Sequence, residues 1–387
     1  MAATAPSLVA PARAQPRSLR LLLVTFGSLA EPHGGLQVRS RVLLETLAGL
    51  GLDVAVASTR EPAGAAAALP WASRVVAPAR KPFRGFSLDW ARLIRDAARN
   101  ADALVVANAM LVPAVYVART GKPVVWDTNE CQALHYRRLA PTARNRLMLL
   151  VWTLLERLAA RRCAIAVSIG EVEARAWRRF HPRLGRKLMT VDHAPLAHAV
   201  DARAARRALV ERLGVEPERV LLFLGTMTAK HNATAARWLL DVLAPRLPAG
   251  TALVLCGPGS ELLDVDPLRR DRVFCLGAVE DVDSVVAAAD LCLAPLASGA
   301  GVKTKVLHYL WHGRPVAGTP VAFEGLGGAP GLHAADLDQL PALVLRLLRA
   351  PATPASGCAA RTWVEQHHGR DRVREQWRHV LQWIPRP

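Results

Sequence analysis

The 387-residue sequence has no long hydrophobic run and few aromatic residues, and its first 18 residues lack a continuous apolar centre. No apolar segment reaches the ~18–20 residues that a membrane-spanning helix needs. A secretory signal peptide would also need an apolar centre, whereas residues 1–18 are rich in Ala, Pro and Arg. We therefore expect a disordered extension over residues 1–18 of a cytoplasmic protein.

The six cysteines are scattered, and no CxxC or Cys/His spacing typical of a zinc site occurs. Cys256, Cys275 and Cys292 each lie in an apolar, strand-like run, where free cysteine behaves as a small hydrophobic residue. The pattern favours buried free thiols over disulfides or a metal centre.

The charge is strongly positive and unevenly spread. The net charge is +18, and residues 1–193 contain 28 Lys and Arg against 13 Asp and Glu. A basic first half could bind an anionic membrane or nucleic acid, or its many arginines could reflect a GC-rich genome. With three Tyr and seven Phe, the chain lacks the interleaved basic and aromatic residues of a nucleic-acid-binding surface, so we expect no nucleic-acid partner.

Short apolar runs alternate with amphipathic stretches along most of the chain, which predicts buried parallel strands joined by helices. In the first half the predicted strands are 19–26, 53–59, 101–108, 122–127, 163–170 and 186–195. In the second half they are 219–226, 251–257, 272–277, 290–296 and 314–319.

Two such series predict an α/β protein with two Rossmann-like, doubly wound domains facing each other across a cleft. We place the first domain at residues 19–195, a linker at 196–218 and the second domain at 219–365. A C-terminal helix over 366–387 is expected to pack back on the first domain. This last part has apolar residues at helical spacing, and its Trp363, Trp377 and Trp383 are expected to be buried.

The segment 299–326, "GAGVKTKVLHYLWHGRPVAGTPVAFEGL", places glycines and two lysines before an apolar helical run. A helix start has unpaired N–H groups and a partial positive charge, so it can bind an anion. Lys303 and Lys305 would add full charges beside it. The segment therefore predicts a phosphate site.

Two other loops follow predicted strands and precede helices. Gly34 and Gly35 lie in "PHGGLQVRS", where they let the backbone approach a ligand, although a plain tight turn explains them equally well. In the second loop Gly225 and Thr226 end a strand, and Lys230 precedes a helix that we expect to start near Asn232. Lys230 could reach a phosphate or remain a solvated lysine. No GxGxxG follows the first strand, which disfavours a nicotinamide dehydrogenase.

These motifs resemble those of retaining family 4 (group 1) glycosyltransferases, which have two Rossmann-like domains in the GT-B arrangement. The resemblance covers about residues 19–387 and rests on the glycine pair, on "FLGTMTAKHNATAARWLLDVLAPRLP" and most specifically on 299–326. In that segment "GVKTK" is followed by "GRPV" and "EGL".

The resemblance implies a nucleotide-diphosphate sugar as co-substrate, bound mainly by the second domain, with no further cofactor. The backbone near Leu276 and Gly277 would meet the base, and the amides from Gly299 to Val302 with Lys305 would bind the diphosphate. The full implied donor-binding set is Gly34, Gly35, Gly225, Thr226, Lys230, Gly277, Gly299, Ala300, Gly301, Val302, Lys303, Lys305, His308 and Glu324. No metal is required, and Asp264 and Asp266 are not expected to form a metal pair.

Two positions depart from the family pattern. His308 and Ala300 occur where the family has a pair of glutamates, and the later glutamate accepts hydrogen bonds from the ribose. Neutral imidazole offers one hydrogen-bond acceptor and one hydrogen-bond donor, whereas a carboxylate only accepts. The contact with the ribose and the identity of the nucleotide sugar are therefore open. A non-catalytic relative is one alternative.

The first domain is expected to bind the acceptor. Asp127 and Glu130 follow a predicted strand and could orient an acceptor hydroxyl or stabilise charge on the sugar; Asp127 could equally cap a helix. Residues 143–162 form a predicted helix with an apolar face and arginines at both ends. This helix is either an ordinary core-facing element or a membrane-surface element.

We expect a retaining, metal-independent glycosyltransferase of cell-surface glycan, glycolipid or natural-product biosynthesis. It would be cytoplasmic, either free or peripheral at the inner membrane face, with a glycan, glycolipid or small molecule as acceptor. A nucleotide-sugar 2-epimerase of the same fold is the second enzyme alternative.

Overall fold

The structure is a computed structural model that describes residues 19–82, 85–299, 301–349 and 354–385. It contains a seven-stranded and a six-stranded sheet, and the strand pairs in both are parallel. The predicted pair of doubly wound α/β domains is confirmed.

The first sheet has the order β3-β2-β1-β4-β5-β6-β7. Its central strands are continuous runs of buried apolar residues because helices cover both faces. The strands are β1 Arg20–Thr25, β2 Asp53–Ser58, β3 Arg74–Val76, β4 Ala103–Ala107, β5 Val124–Asn129, β6 Ile165–Ser168 and β7 Leu188–Thr190. The helices are α1 Gly35–Gly49, α2 Ala65–Ala68, α3 Leu88–Ala97, α4 Val112–Ala118, α5 Gln132–Arg138, α6 Ala143–Arg162 and α7 Gly170–Phe180.

The second sheet has the order β10-β9-β8-β11-β12-β13. Its strands are β8 Arg219–Leu224, β9 Thr251–Cys256, β10 Val273–Cys275, β11 Leu291–Ala294, β12 Val316–Gly318 and β13 Leu332–Ala334. Its helices are α8 Ala202–Leu213, α9 Lys230–Trp238, α10 Val282–Ala287, α11 Thr304–Trp311, α12 Leu340–Arg349 and α13 Pro354–His368.

Two parts of the predicted domain organisation are refined. The region predicted as a linker contains α8, and Ala205, Leu209 and Leu213 of that helix lie in the core of the second domain. The end of the chain forms two helices, because α14 (Arg370–Gln382) follows α13 after Gly369. A Cβ at Gly369 would lie 2.1 Å from the Glu365 carbonyl oxygen, so the close turn requires glycine.

Helix α14 packs against α1 of the first domain. Trp377 is buried in the first core, and Trp363 packs against the second. The side chain of Trp383 is 65% exposed, so the predicted burial of that residue is wrong. The chain thus returns to its first domain after completing the second.

Candidate active site

The start of α11 faces the start of α1 across the space between the domains. Helix α1 begins at Gly35 after the extended residue Gly34, and α11 begins at Thr304 after Lys303. A Cβ placed on Gly35 would lie 3.5 Å from Thr304 Oγ1. Neither helix start has a side-chain cap among the described residues. Two helix N-termini with free N–H groups therefore converge, which favours a negatively charged group between them.

The loop before α11 depends on glycine. Gly299 and Gly301 have φ angles of 137° and 71°, which other residues rarely adopt. Ala300, the third member of this predicted contact, lies outside the described residues. Val302 lies between Gly325 and Gly170, with Cγ2 3.8 Å from a Cβ placed on Gly170. The loop therefore touches the first domain.

Lys303 folds back on its own loop. Its Nζ donates to the Gly301 carbonyl oxygen over 2.6 Å, so one of its donors is already used. Burial lowers the pKa of Lys303, while the carboxylates of Glu324, Glu130 and Glu173 partly offset this effect. The lysine contributes charge to the cleft without projecting freely into it.

Lys305 is held beneath the helix start. Its Nζ donates to Asn232 Oδ1 over 2.7 Å and lies 4.3 Å from the centre of the Phe223 ring. Burial, and then the charge of Lys303, lower the pKa of Lys305 to about 7. The prediction of a fixed full charge is therefore corrected: this lysine is partly neutral near pH 7 and gains a proton readily beside an anion.

The loop after β8 forms the opposite wall of this space. A Cβ on Gly257 would lie 2.3 Å from the Gly225 carbonyl oxygen, so the two backbones approach closely. Thr226 Oγ1 donates to the carbonyl oxygen of His33 in the first domain. Lys230 is exposed at the first residue of α9, two residues before the predicted start.

His231 lies among these cations. Burial and the charges of Lys305 and Lys303, followed by His135 of the first domain, lower the pKa of His231 to about 4. The imidazole is therefore neutral at physiological pH. It can exchange hydrogen bonds with a ligand without adding positive charge.

The acidic groups of the first domain face the α11 loop. Glu173 accepts from the Cys131 backbone N–H over 3.0 Å, and its Oε1 lies 3.7 Å from a Cβ placed on Gly301. Burial raises the pKa of Glu173, whereas the N–H groups of Cys131 and Gly301 lower it. Glu173 therefore fixes the position of the loop against the first domain.

Glu130 is an acidic residue of the cleft whose side chain is 36% exposed. One carboxylate oxygen lies 3.3 Å from His135 Nδ1. Burial raises the pKa of Glu130 to about 7; Lys303 opposes the shift, and Glu173 and Glu156 add to it. A carboxyl group that titrates near neutrality can accept or donate a proton during a reaction.

The predicted catalytic role of Asp127 is corrected. Asp127 lies within β5 and is fully buried, and it neither caps a helix nor faces the cleft. Both oxygens accept from the guanidinium of Arg39, at 2.7–3.1 Å. The ion pair joins β5 to α1 and leaves Asp127 unavailable to a substrate hydroxyl.

Glu324 is also occupied. Both of its carboxylate oxygens contact Arg138 of the first domain at 3.1 Å, and Arg138 Nη1 donates to the Gly299 carbonyl oxygen over 3.0 Å. Glu324 thus takes part in an ion pair between the domains, and its predicted donor contact stays a prediction. Arg138 also restrains the glycine loop.

His308 lies close to an acidic residue and to a second histidine. Its Nε2 lies 2.9 Å from Asp283 Oδ1 on α10, and its ring stacks on His312 at a centroid distance of 5.3 Å. His308 thus belongs to a cluster with Asp283 and His312, and its predicted direct role in donor binding stays a prediction.

The backbone predicted to meet the base has internal partners. The Gly277 N–H donates to Ser260 Oγ over 2.9 Å, and the Leu276 carbonyl oxygen accepts from Arg212 over 3.1 Å. Gly277 lies in the left-handed region at φ 67° beside Glu261. Asp266, half of the DxD spelling, caps a short 3₁₀ helix and pairs with Arg269 at 3.4 Å.

Four residues of the site were missed by the sequence analysis: Arg138, Glu173, His231 and Asn232. His231 and Asn232 directly follow Lys230, which was predicted. Their position at the start of a helix that follows a strand could have indicated that they belong to the site. Arg138 and Glu173 come from another domain than the loop they contact. No local pattern marks that pairing.

The second half of the chain matches a known family. Residues 218–350 match the family model described as "Glycosyl transferases group 1". A search of curated proteins finds no match to the sequence.

Solved structures match nearly the whole chain. HepE from Anabaena, in complex with UDP and glucose, has a TM-score of 0.70 at 15% identity and covers 94% of this chain and 99% of its own. WaaG, a glycosyltransferase involved in lipopolysaccharide biosynthesis, has a TM-score of 0.68 at 16% identity, and the match covers 94% of this chain and 99% of WaaG. A glycosyltransferase from Rickettsia africae has a TM-score of 0.67 at 12% identity, and the match covers 95% of this chain and 99% of that protein.

At these identities the structural likeness shows the fold, and the family model adds the identity of the second domain. The chain therefore has the GT-B fold, its second domain is a group 1 glycosyl transferase domain, and on those two grounds the protein is a glycosyltransferase.

Proposed function

We propose that the protein moves a sugar from a nucleotide-diphosphate sugar to an acceptor hydroxyl, with retention of configuration and without a metal ion or further cofactor. The observation that carries this proposal is the convergence of the α1 and α11 starts at Gly35 and Thr304 beside Lys305. Facing positive helix ends would repel each other, and a diphosphate between them removes that repulsion.

The same geometry supports departure of the diphosphate. As the bond between the anomeric carbon and the phosphate oxygen breaks, negative charge grows on that oxygen. Backbone N–H groups at the two helix starts stabilise it, and the Lys305 ammonium adds charge that no metal needs to supply. The acceptor oxygen forms the new bond on the same face, and its proton passes to the leaving phosphate oxygen.

Glu130 and His135 line the first-domain side of this space. As a carboxylate, Glu130 would accept a hydrogen bond from the acceptor hydroxyl and so orient it toward the anomeric carbon. Neutral His231 would contact the sugar or phosphate from the second domain. Asp127 has no part in these steps because Arg39 occupies both of its oxygens.

We place the acceptor at an anionic membrane surface, with the protein on the cytoplasmic side. Leu147, Leu150 and Leu154 on α6 have side chains that are 54–60% exposed and occur at helical spacing on one stripe. Arg157 and Arg161 extend the same stripe and line a surface pocket with Arg183. Apolar residues followed by arginines suit insertion of the leucines beside anionic headgroups. No helix among the described residues is long and apolar enough to cross a membrane.

The donor is best sought among UDP sugars first, since HepE of the same fold binds UDP and UDP-glucose. The test is a thermal-shift panel of UDP, GDP, ADP and their sugars, with Lys305→Met and the control Lys122→Met. Lys122 precedes the amino end of β5, whereas the cleft lies at the carboxyl ends of the parallel strands. One nucleotide family should raise the Tm of the wild type and the control but not of Lys305→Met.

Two results would overturn the proposal. If no nucleotide or nucleotide sugar changes the Tm, the cleft does not bind such a donor. NMR of the product would show whether the protein converts a bound nucleotide sugar to its C2 epimer without any acceptor. In that case the enzyme is a nucleotide-sugar 2-epimerase and not a glycosyltransferase.

A further inference from the structure

We propose that Asp283, His308 and His312 bind a divalent transition-metal ion such as Zn²⁺ at the back of α11. His308 lies on α11, His312 follows four residues later as the residue directly after that helix, and Asp283 lies on α10. Among the described residues, these three offer ligand atoms within 4.8 Å of one another. This inference goes beyond the proposed function, because sugar transfer as described needs no ion.

The side chains point at one spot. His308 Nε2 lies 2.9 Å and His312 Nε2 2.6 Å from the same oxygen, Oδ1 of Asp283. The rings stack at a centroid distance of 5.3 Å with an interplanar angle of 24°. Two imidazole nitrogens thus aim, side by side, at a single carboxylate oxygen.

One of these nitrogens is left unsatisfied. His308 Nε2 is buried without a hydrogen-bond partner of acceptable geometry, although it is close to Asp283. Buried polar atoms are almost always partnered, so an exception calls for a physical reason. A metal ion bound by both histidines and the carboxylate would satisfy all three groups at once.

The ligand set indicates which ion fits. Two imidazoles separated by one helical turn, completed by a carboxylate, form a nitrogen-rich donor set that suits Zn²⁺ and its neighbours rather than Mg²⁺ or Ca²⁺. With bonds of about 2.0–2.1 Å, tetrahedral ligand atoms lie roughly 3.3 Å apart. From their present 2.9 and 2.6 Å, the nitrogens of His308 and His312 therefore need to move away from Asp283 Oδ1 by about 0.4 and 0.7 Å.

His198 positions the carboxylate. Its Nδ1 lies 2.7 Å from Oδ2, the second oxygen of Asp283, and its side chain is 66% exposed between β7 and α8. A partner on the other carboxylate oxygen fixes the orientation of a metal-bound group. The ion would thereby tie α10 and α11 together and restrain the segment that leads into the second domain.

The experiment is a Zn²⁺ titration of untagged, full-length protein after treatment with a chelator, followed by calorimetry. We expect one equivalent of Zn²⁺ per chain and a rise in Tm. His308→Gln and His312→Gln should lose this saturable binding, and His198→Gln should weaken it by about 10–100-fold. His379→Gln, at an exposed histidine of α14, is the control and should bind normally.

Substitution by Co²⁺ separates this site from the buried cluster of Cys131, Glu156 and His181. The proposed site should give visible d–d bands without a thiolate-to-cobalt charge-transfer band. Absence of saturable binding, unchanged binding in His312→Gln or a thiolate band would each overturn the proposal. Circular dichroism identifies any variant that fails to fold, in which case the other histidine variant decides.

Zinc binding and donor binding are measured separately, so the two proposals can fail independently. Lys305→Met should still bind Zn²⁺, whereas His312→Gln should still respond to the nucleotide that stabilises the wild type. Loss of nucleotide binding alone would leave the metal site intact.

Discussion

The guanidinium of Arg39 holds both carboxylate oxygens of Asp127 at 2.7–3.1 Å, and both side chains are buried. The two residues are 88 positions apart and join α1 to β5. Since α1 carries the Gly34–Gly35 loop at its N-terminal end, this ion pair positions one of the two helix starts of the cleft.

Asp127→Asn should destabilise the fold because it leaves the Arg39 charge buried and unpaired. We expect a loss of about 3–5 kcal/mol in the free energy of unfolding, measured by urea denaturation. The control is Glu365→Gln, which breaks the exposed pair with Arg361 and should cost much less. Equal, small losses in both variants would show that the Arg39–Asp127 pair is not structurally important.

Glu130→Gln should remove a pH-dependent component of both stability and activity. The folded pKa is about 7 against an ordinary value of 4.5, so the folded state keeps a proton that the unfolded state loses. Stability of the wild type should therefore fall relative to Glu130→Gln as pH rises from 4.5 to 7 and level off above. Urea denaturation across this range measures the difference.

The rate should follow the opposite course. If the Glu130 carboxylate orients the acceptor, kcat/KM of the wild type rises as pH increases through 7, and Glu130→Gln is slow at every pH. The control Glu171→Gln alters an exposed carboxylate paired with Arg178 and should retain the wild-type profile. A wild-type profile in Glu130→Gln would remove this residue from the mechanism.

Arg138→Ala should loosen the contact between the domains. The variant loses the pair with Glu324 and the hydrogen bond to the Gly299 carbonyl oxygen. Because the pair is partly exposed, stability should fall by no more than about 1 kcal/mol. The radius of gyration from small-angle scattering should nevertheless increase.

The exchanged pair Arg138→Glu with Glu324→Arg should restore much of the wild-type scattering curve. Arg178→Ala, which affects a pair within the first domain, is the control and should leave the curve unchanged. A wild-type curve for Arg138→Ala would mean that other contacts hold the domains together.

Leu150→Asp and Leu154→Asp should weaken binding to anionic vesicles, because each places a charge on the exposed apolar stripe of α6. The measurement is co-sedimentation with phosphatidylglycerol vesicles at low and high salt, where screening should reduce binding. Leu262→Asp is a matched control, since Leu262 is 83% exposed on the second domain. No sedimentation of the wild type at low salt would refute a membrane-bound acceptor.

Sequence patterns predict the sheets well because a strand covered on both faces must be a continuous apolar run. All eleven predicted strands are present, whereas the edge strands β3 and β13 were missed. These two strands contain no buried residue, whereas the equally short edge strands β7 and β10 each begin with one. The glycine-rich start of α11 was also identified from local sequence alone.

The directions of charged side chains could not be predicted in the same way. Asp127, Glu324 and His308 each find a partner far away in sequence, respectively Arg39, Arg138 and Asp283. Burial of a lysine beside Asn232 likewise depends on tertiary packing, so the lowered pKa of Lys305 has no sequence signature.

The most direct test of the diphosphate site is proton uptake on binding of UDP, or of whichever nucleoside diphosphate the panel selects, at pH 8. With a pKa of about 7, Lys305 is mostly neutral at that pH, and a bound diphosphate should raise the pKa and draw a proton from solution. Calorimetry in buffers of different ionisation enthalpy counts that proton. We predict net proton uptake by the wild type and by the control Lys122→Met; nucleotide binding to these two proteins without proton uptake would contradict the account.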